Sequence, residues 1–257
     1  MEEISVVIPI MINYPNRKQN VECVVNYLLR YPYLHIDVLE AGRDRFLHLP
    51  AHPRLRYTYV PDDAPVFYHT YYRNRLLQQA KYPIVGVWDA DAIVSEEQFL
   101  AAADYIRRGA VMCFPYDGDF RYLSKAESQA VRADLNQLRP DSGTRAMGRP
   151  SVGGIFFVNR DIYLRWGGDN ECFYGWSPED FERVKRMEIL ELPIARTSGS
   201  LYHLFHERDQ IETPDELARS YRNHKALIDL CHLSKSELEY LIIYREGMFS
   251  YMKQWQI

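Results

Sequence analysis

No two of the four cysteines (Cys23, Cys113, Cys172, Cys231) in the 257-residue chain stand in a CxxC spacing. A zinc knuckle or a thioredoxin-type redox motif is therefore unsupported. Long hydrophobic runs are also lacking. The apolar stretch from Val6 to Ile12 is far short of the ~20 residues that span a bilayer. No basic region precedes it and no small-residue cleavage site follows, so the expectation is a chain without a signal peptide, with free thiols, in the cytoplasm. There is no surplus of positive charge: 31 Lys and Arg against 35 Asp and Glu give a net charge of −4. That argues against a general nucleic-acid binder or a polybasic membrane protein, which both need a positive surface. Internal repeats, low-complexity tracts and Gly/Ser linkers are absent too. Tyrosine is plentiful, with 20 residues in an aromatic fraction of 14%. Aromatic faces suit sugar rings and bases, and they also fill ordinary cores. A chain of this length buries roughly 70–75% of its unfolded surface and needs no metal or disulfide merely to fold.

The first half alternates strand and helix signals. Ile4 to Ile10 reads as a strand buried on both faces. Val21, Val24, Val25, Leu28 and Leu29 follow a helical period that Pro32 ends. His35–Leu39 and Leu55–Val60 read as strands, Tyr71–Ala80 as a helix, and Ile84–Trp88 as a fourth, buried strand. Ser95 and Gln98 fit a capping box opening another helix, before a strand at Ala110–Phe114. This β-α-β-α order predicts an α/β fold with a mostly parallel sheet covered by helices. Residues 117–150, with an amphipathic stretch from Leu123 to Leu138, read as a helical insertion, a lid or an acceptor-side element. The core resumes at Gly153–Val158. Pro178 opens a helix to about Met187, and Ile189–Ile194 reads as a further strand. The tail carries two helical patterns, Pro214–Leu230 and Ser234–Tyr244, the second opened by a Ser234/Glu237 capping box.

Four constellations have chemical potential. In Trp88-Asp89-Ala90-Asp91, two carboxylates follow a buried strand, where open α/β sheets place their ligand crevice. Such oxygens suit Mg²⁺ or Mn²⁺ bridging to a diphosphate; the plain reading is a polar turn. His203 and His206 stand at i and i+3 and share a metal if the backbone is helical or turned; alone, two ordinary core or surface histidines are the simpler reading. Glu179 and Asp180, after Gly175-Trp176-Ser177-Pro178, stabilise a helix start or supply a general base beside an aromatic platform. Arg73 and Arg75 hold a diphosphate or decorate a charged helix.

The order of these segments adds what each lacks alone. Ser5-Val6-Val7-Ile8-Pro9-Ile10, then Tyr72–Ala80 with Ile84–Asp91, resembles family 2 nucleotide-sugar glycosyltransferases. Gly153-Gly154 through Asp161, Gly167-Gly168, Gly175–Asp180 and Phe205-His206-Glu207-Arg208-Asp209 resemble the carboxyl-terminal part of β-1,4-galactosyltransferases. The resemblance covers most of residues 4–210, leaving out 117–150 and 211–257. It implies a GT-A (nucleotide-diphospho-sugar transferase) fold, with residues 1–210 as catalytic domain and 211–257 as a helical C-terminal extension. It implies Asp91 and His206 as ligands of Mn²⁺, and His203 where galactosyltransferases carry a methionine ligand, an exchange that would broaden metal use toward Mg²⁺. It further implies Asp89 on the ribose or the metal's waters, and Pro9, Glu40 and Arg73 around the uridine of a UDP-sugar. Asp180 becomes the base, Glu179 the acceptor-binding residue, and Trp176 and Gly154 line the sugar site. Ser151 falls where galactosyltransferases place a bulky tyrosine, leaving room for an N-acetyl group, so UDP-GalNAc stands beside UDP-Gal as donor.

Two departures from the pattern are Ser177-Pro178 for Gly-Gly, which stiffens the loop, and Glu40-Ala41-Gly42 for the usual Asp-Asp-Gly. The expected reaction is metal-dependent, inverting transfer to a saccharide or lipid-linked saccharide acceptor, in bacterial surface polysaccharide synthesis on the cytoplasmic side of the membrane. A sugar-nucleotide nucleotidyltransferase or hydrolase, and a non-catalytic glycan-binding protein, are the competing readings. For the aromatic-rich end (Met248, Phe249, Tyr251, Met252, Trp255), packing onto the core competes with peripheral membrane contact. Nucleic acid is not an expected partner.

Overall fold

Every residue of the apolar run Ile4–Ile10, strand β1, is buried. Both faces of such a strand must be covered, which places it inside a parallel sheet flanked by helices. Along the chain follow α1 (Pro15–Leu28), β2 (Leu34–Gly42), β3 (Leu55–Pro61), α2 (His69–Gln79), β4 (Ile84–Trp88), β5 (Ala92–Ile93), α3 (Glu96–Arg107), β6 (Met112–Phe114) and β7 (Phe120–Tyr122). Then come α4 (Lys125–Ala133), β8 (Thr144–Arg145), β9 (Ile155–Asn159), α5 (Arg160–Arg165), α6 (Glu179–Ile189), β10 (Ile194–Arg196), β11 (Leu201–His203), α7 (Pro214–Cys231) and α8 (Lys235–Met252). The structure, a computed structural model, describes residues 2–146, 150–175, 177–207 and 213–252, with residues 245–252 described by backbone alone. Trp176, Arg208, Asp209 and Trp255, singled out in the sequence, lie outside the described residues, as do the side chains of Met248, Phe249, Tyr251 and Met252.

The main sheet has seven strands in the order β10-β6-β9-β4-β1-β2-β3. β1 runs parallel to β2 and β4, β2 to β3, and β6 to β10, while β9 is antiparallel to β4 and β6. The carboxyl ends of β1, β2 and β4 therefore open on one side of the sheet, where α/β folds bind ligands. Because Trp88 pairs with Ile155, antiparallel β9 brings Gly153 and Gly154 to that same side, beside Asp89. A second sheet, β5-β11-β7-β8, sets His203 opposite Ala92.

Several elements differ from expectation. The apolar residues from Ile189 onward do not start a strand. Helix α6 continues through Ile189, with the Leu190 N–H bonded to the Arg186 carbonyl. Leu190, Ile189 and Leu192 pack in a small satellite core with Leu230, Leu238 and Ile242 of α7 and α8. Their side chains satisfy a helix–helix contact, and the strand β10 begins only at Ile194. Residues 117–150 are not only helical. They hold β7 and β8 as well as α4, whose capping box joins Ser124 and Glu127. β7 pairs with β11, and Ser128 of α4 accepts the Phe205 N–H (2.8 Å), so this segment is scaffold for the 203–206 stretch. Helix α1 starts at Pro15, ahead of the apolar period at Val21. Among the described residues no helix is long and apolar enough to cross a membrane.

Candidate active site

The turn after β4 is tight: the Ala92 N–H bonds to the Asp89 carbonyl at 3.2 Å. The Asp89 N–H bonds across to the Gly154 carbonyl (2.8 Å), and the Leu204 N–H bonds to the Asp91 carbonyl (2.7 Å). The last of these ties the histidine stretch to the acidic turn. His203 Nε2 lies 3.2 Å from Asp91 Oδ1, and His206 Nε2 lies 3.4 Å from Asp91 Oδ2. One donor atom from each of the three residues falls within 4.8 Å of the others. The rings of Phe120 and Tyr122 crowd His203, at 5.5 and 5.4 Å. His206 Nδ1 faces the Glu207 carbonyl at 2.8 Å. With Nδ1 protonated it donates there, which leaves the Nε2 lone pair toward Asp91. One carboxylate and two imidazoles form a donor set suited to a borderline divalent cation such as Mn²⁺, so the residues fit the ion the sequence implied.

Next to this cluster lies a lattice of buried charge. Arg73 reaches from α2 with Nη2 3.0 Å from Asp89 Oδ1 and Nη1 3.8 Å from Asp180 Oδ1. Arg183, completely buried, donates Nε to Asp169 (2.8 Å) and Nη1 to Asp180 (2.9 Å). Its guanidinium lies 4.0 Å from the centre of the Phe156 ring, and that of Arg73 5.7 Å from it. Burial alone would weaken the charge on Arg73, but Asp169, Asp89 and Asp180 outweigh it and hold the group protonated. Burial would likewise raise Asp169, and Arg183 and Arg73 pull it below the ordinary carboxylate range. Asp89 is pushed up to about 6 by burial, with Asp91 and Asp180 adding to the effect against Arg73. His69, one helical turn before Arg73, has Nε2 3.8 Å from Asp89. Burial and the cations Arg73, Arg183 and Arg17 keep it well below the usual imidazole value, so it is neutral.

The two acids at the start of α6 face this lattice. Asp180 approaches the chain at Gly153 so closely that a Cβ there would lie 2.7 Å from its Oδ2. Any larger residue there would displace the carboxylate, which Arg183 Nη1 holds at 2.9 Å. Glu179 accepts a hydrogen bond from Ser177 Oγ (2.7 Å) and is pushed up to about 7 by burial and by the neighbouring charge of Asp180.

Of the residues singled out in the sequence, Asp89, Asp91, His203, His206, Arg73, Asp180 and Gly154 form one contiguous site, with Glu179 next to Asp180. Ser151 adjoins it through its Oγ, which accepts the Gly153 N–H (3.4 Å), while its own N–H bonds to the Gly118 carbonyl (3.0 Å). Pro9 lies near the carboxyl end of β1, opposite Leu39. Glu40 is buried, and its carboxylate accepts the N–H groups of Phe46 (2.9 Å) and Leu47 (3.2 Å) and the Tyr57 hydroxyl. It holds the 43–47 turn against the sheet, a task its sequence position did not reveal. His69, Asp169 and Arg183 were missed. Only the i, i+4 spacing of His69 and Arg73 on one helix face carried a signal.

No family model matches the chain, and neither does any curated protein sequence. Solved structures do resemble it. The catalytic domain of Drosophila β1,4-galactosyltransferase 7, in complex with xylobiose, is 16% identical with a TM-score of 0.51, over 87% of this chain and 81% of that one. Glucosyl-3-phosphoglycerate synthase from Mycobacterium tuberculosis, bound to Mn²⁺, UDP and phosphoglyceric acid, is 16% identical with a TM-score of 0.53, over 90% and 79%. A mannosyltransferase from Pyrobaculum calidifontis, bound to GDP-Man and Mn²⁺, is 14% identical with a TM-score of 0.55, over 93% and 68%. At such identities the likeness is one of fold, and the chain has the GT-A fold of glycosyltransferases.

Proposed function

We propose that this chain is a metal-dependent, inverting glycosyltransferase that moves galactose or N-acetylgalactosamine from a UDP-sugar to a saccharide hydroxyl. The observation that carries the reading is the Asp91–His203–His206 cluster, within 4.8 Å and at the carboxyl ends of the parallel strands, with two carboxylates of α6 nearby. Structures of the same fold hold Mn²⁺ with UDP or GDP-Man, which supports the same ligands here.

Asp91, His203 and His206 would hold the cation, which supplies charge neutralisation for the departing diphosphate. Asp89, held by Arg73, faces the ribose side of the donor. Asp180 takes the proton of the attacking hydroxyl, oriented for it by Arg183 and Arg73. A positioned base of this kind contributes ~10²–10⁴-fold. Direct attack inverts the anomeric carbon and requires no protein nucleophile. Ser151, a small residue adjoining the site, leaves space for a C2 N-acetyl group. The acceptor we favour is a growing surface polysaccharide.

The test is calorimetric binding of UDP-Gal, UDP-GalNAc, UDP-Glc and UDP-GlcNAc in Mn²⁺. Preference for a galacto-configured donor supports the reading, and no binding of any of the four contradicts it.

Glu179 gives this reading a pH signature. Its carboxyl, pushed up to about 7, is largely neutral at pH 6 and ionised at pH 8. If the carboxylate accepts a hydrogen bond from the acceptor sugar, acceptor KM falls as pH rises through about 7. Glu179→Gln flattens that dependence and raises KM at pH 8. A wild-type acceptor KM constant from pH 6 to 8 would remove Glu179 from acceptor binding.

A further inference from the structure

Helix α7 lies outside the sequence resemblance, yet it touches the loop that leads to the two acids of α6. Asn223, 5% exposed, donates Nδ2 to the Tyr174 carbonyl at 3.4 Å. The Arg219 guanidinium lies 5.7 Å from the centre of the Tyr174 ring. A Cβ at Gly175 would stand 3.0 Å from Arg219 Nε and 2.8 Å from Val66 Cγ1, and the φ of +68° there also demands glycine. Gly175 is thus enclosed between α7 and the segment before α2.

That segment grips the same stretch independently. Thr70 Oγ1 donates to the Phe173 carbonyl (2.6 Å), and the Gly175 N–H donates to the Phe67 carbonyl (3.2 Å). The rings of Tyr68 and Tyr174 stack at 4.9 Å and 13°. Helix α7 opens on a Thr213/Glu216 capping box, and its Leu230 packs with Leu190, Leu238 and Ile242 in the satellite core, which anchors it. A fixed helix on one contact and the 66–70 segment on the other leave Tyr174 and Gly175 one position. Glu179 and Asp180 follow four and five residues later.

We infer that α7 is a brace for the catalytic loop. Arg219 and Asn223 are positioning residues that fix the Tyr174–Gly175 backbone, and through it where α6 presents Glu179 and Asp180. What the brace serves rests on the transferase reading; the brace itself does not.

The test uses the full chain carrying Arg219→Ala with Asn223→Ala. Alanine preserves the helix. Hydrogen exchange of the 173–181 backbone is expected to accelerate about tenfold, the loss of one hydrogen bond and one cation–π contact, while β1 and β4 exchange as before. UDP affinity in Mn²⁺ stays within about twofold of wild type on this account, because the metal cluster is held by other elements. The Glu179 carboxyl, followed by carbon-13 NMR, titrates closer to the ordinary glutamate range as its enclosure loosens. Unchanged exchange at 173–181 overturns the inference. So does acceleration spread evenly over the sheet, since that is loss of stability rather than of a brace. If wild type fails to bind UDP, the transferase reading falls, and the exchange and NMR arms still decide the brace.

Discussion

Asp180→Asn is expected to bind UDP in Mn²⁺ with unchanged affinity and to transfer sugar about 10²–10⁴ times more slowly. The substitution keeps the shape. An asparagine Oδ1 still accepts from Arg183 Nη1, now 2.9 Å from the aspartate oxygen, and Gly153 still leaves space for the other branch. What disappears is a group able to take a proton. Loss of one negative charge leaves Arg73 and Arg183 with Asp89 and Asp169 alone, so a modest loss of stability accompanies the change. The expected split is therefore sharp: kcat falls and donor binding holds. Turnover within about threefold of wild type would exclude Asp180 as the base. Glu179, adjacent and already pushed up to about 7, would then take its place.

The second large effect belongs to Asp91. Asp91→Ala is expected to lower Mn²⁺-dependent UDP affinity by about 100-fold or more, exceeding the 10–100-fold typical of residues that only support metal ligands. Asp91 is the shared partner of both imidazoles, with one oxygen toward each. Among the described residues its removal takes the one carboxylate from the cluster and leaves two imidazoles, a set with weak hold on an oxygen-loving cation. His206→Ala should weaken binding in the same direction, since its Nε2 is aimed at the cluster by the contact of Nδ1 with the Glu207 carbonyl. Equal UDP affinity with and without Asp91 would show that the cluster holds no metal relevant to the nucleotide.

How much of this was legible in the sequence depended on the length scale of each interaction. β1 and β4 declared themselves because a strand covered on both faces must be apolar throughout, and their ends fixed where Asp89 and Asp91 fall. The capping boxes at Ser95 and Ser234 were readable because both partners lie within one turn. The second sheet was not readable. β5, β7, β8 and β11 are two or three residues long, too short for any period, yet the pairing of His203 with Ala92 is what brings the histidines to Asp91. The same holds for Arg183 and Asp169, which stand 14 residues apart with no local period to link them. The apolar run at Ile189 was misread because helix–helix packing with α7 and α8 needs the same residues as a buried strand. The Glu40 carboxylate secures the backbone of Phe46 and Leu47, a role that its motif position near the expected uridine did not announce.

The measurement that bears most directly on the central claim is calorimetric titration of the full chain with UDP, with Mn²⁺ and without it. The account predicts binding with Mn²⁺ that is lost, or weakened by about 100-fold, when the cation is withheld. UDP binding that is equally tight without Mn²⁺, or absent in its presence, would leave the GT-A fold standing and contradict a metal-dependent transferase built on Asp91, His203 and His206.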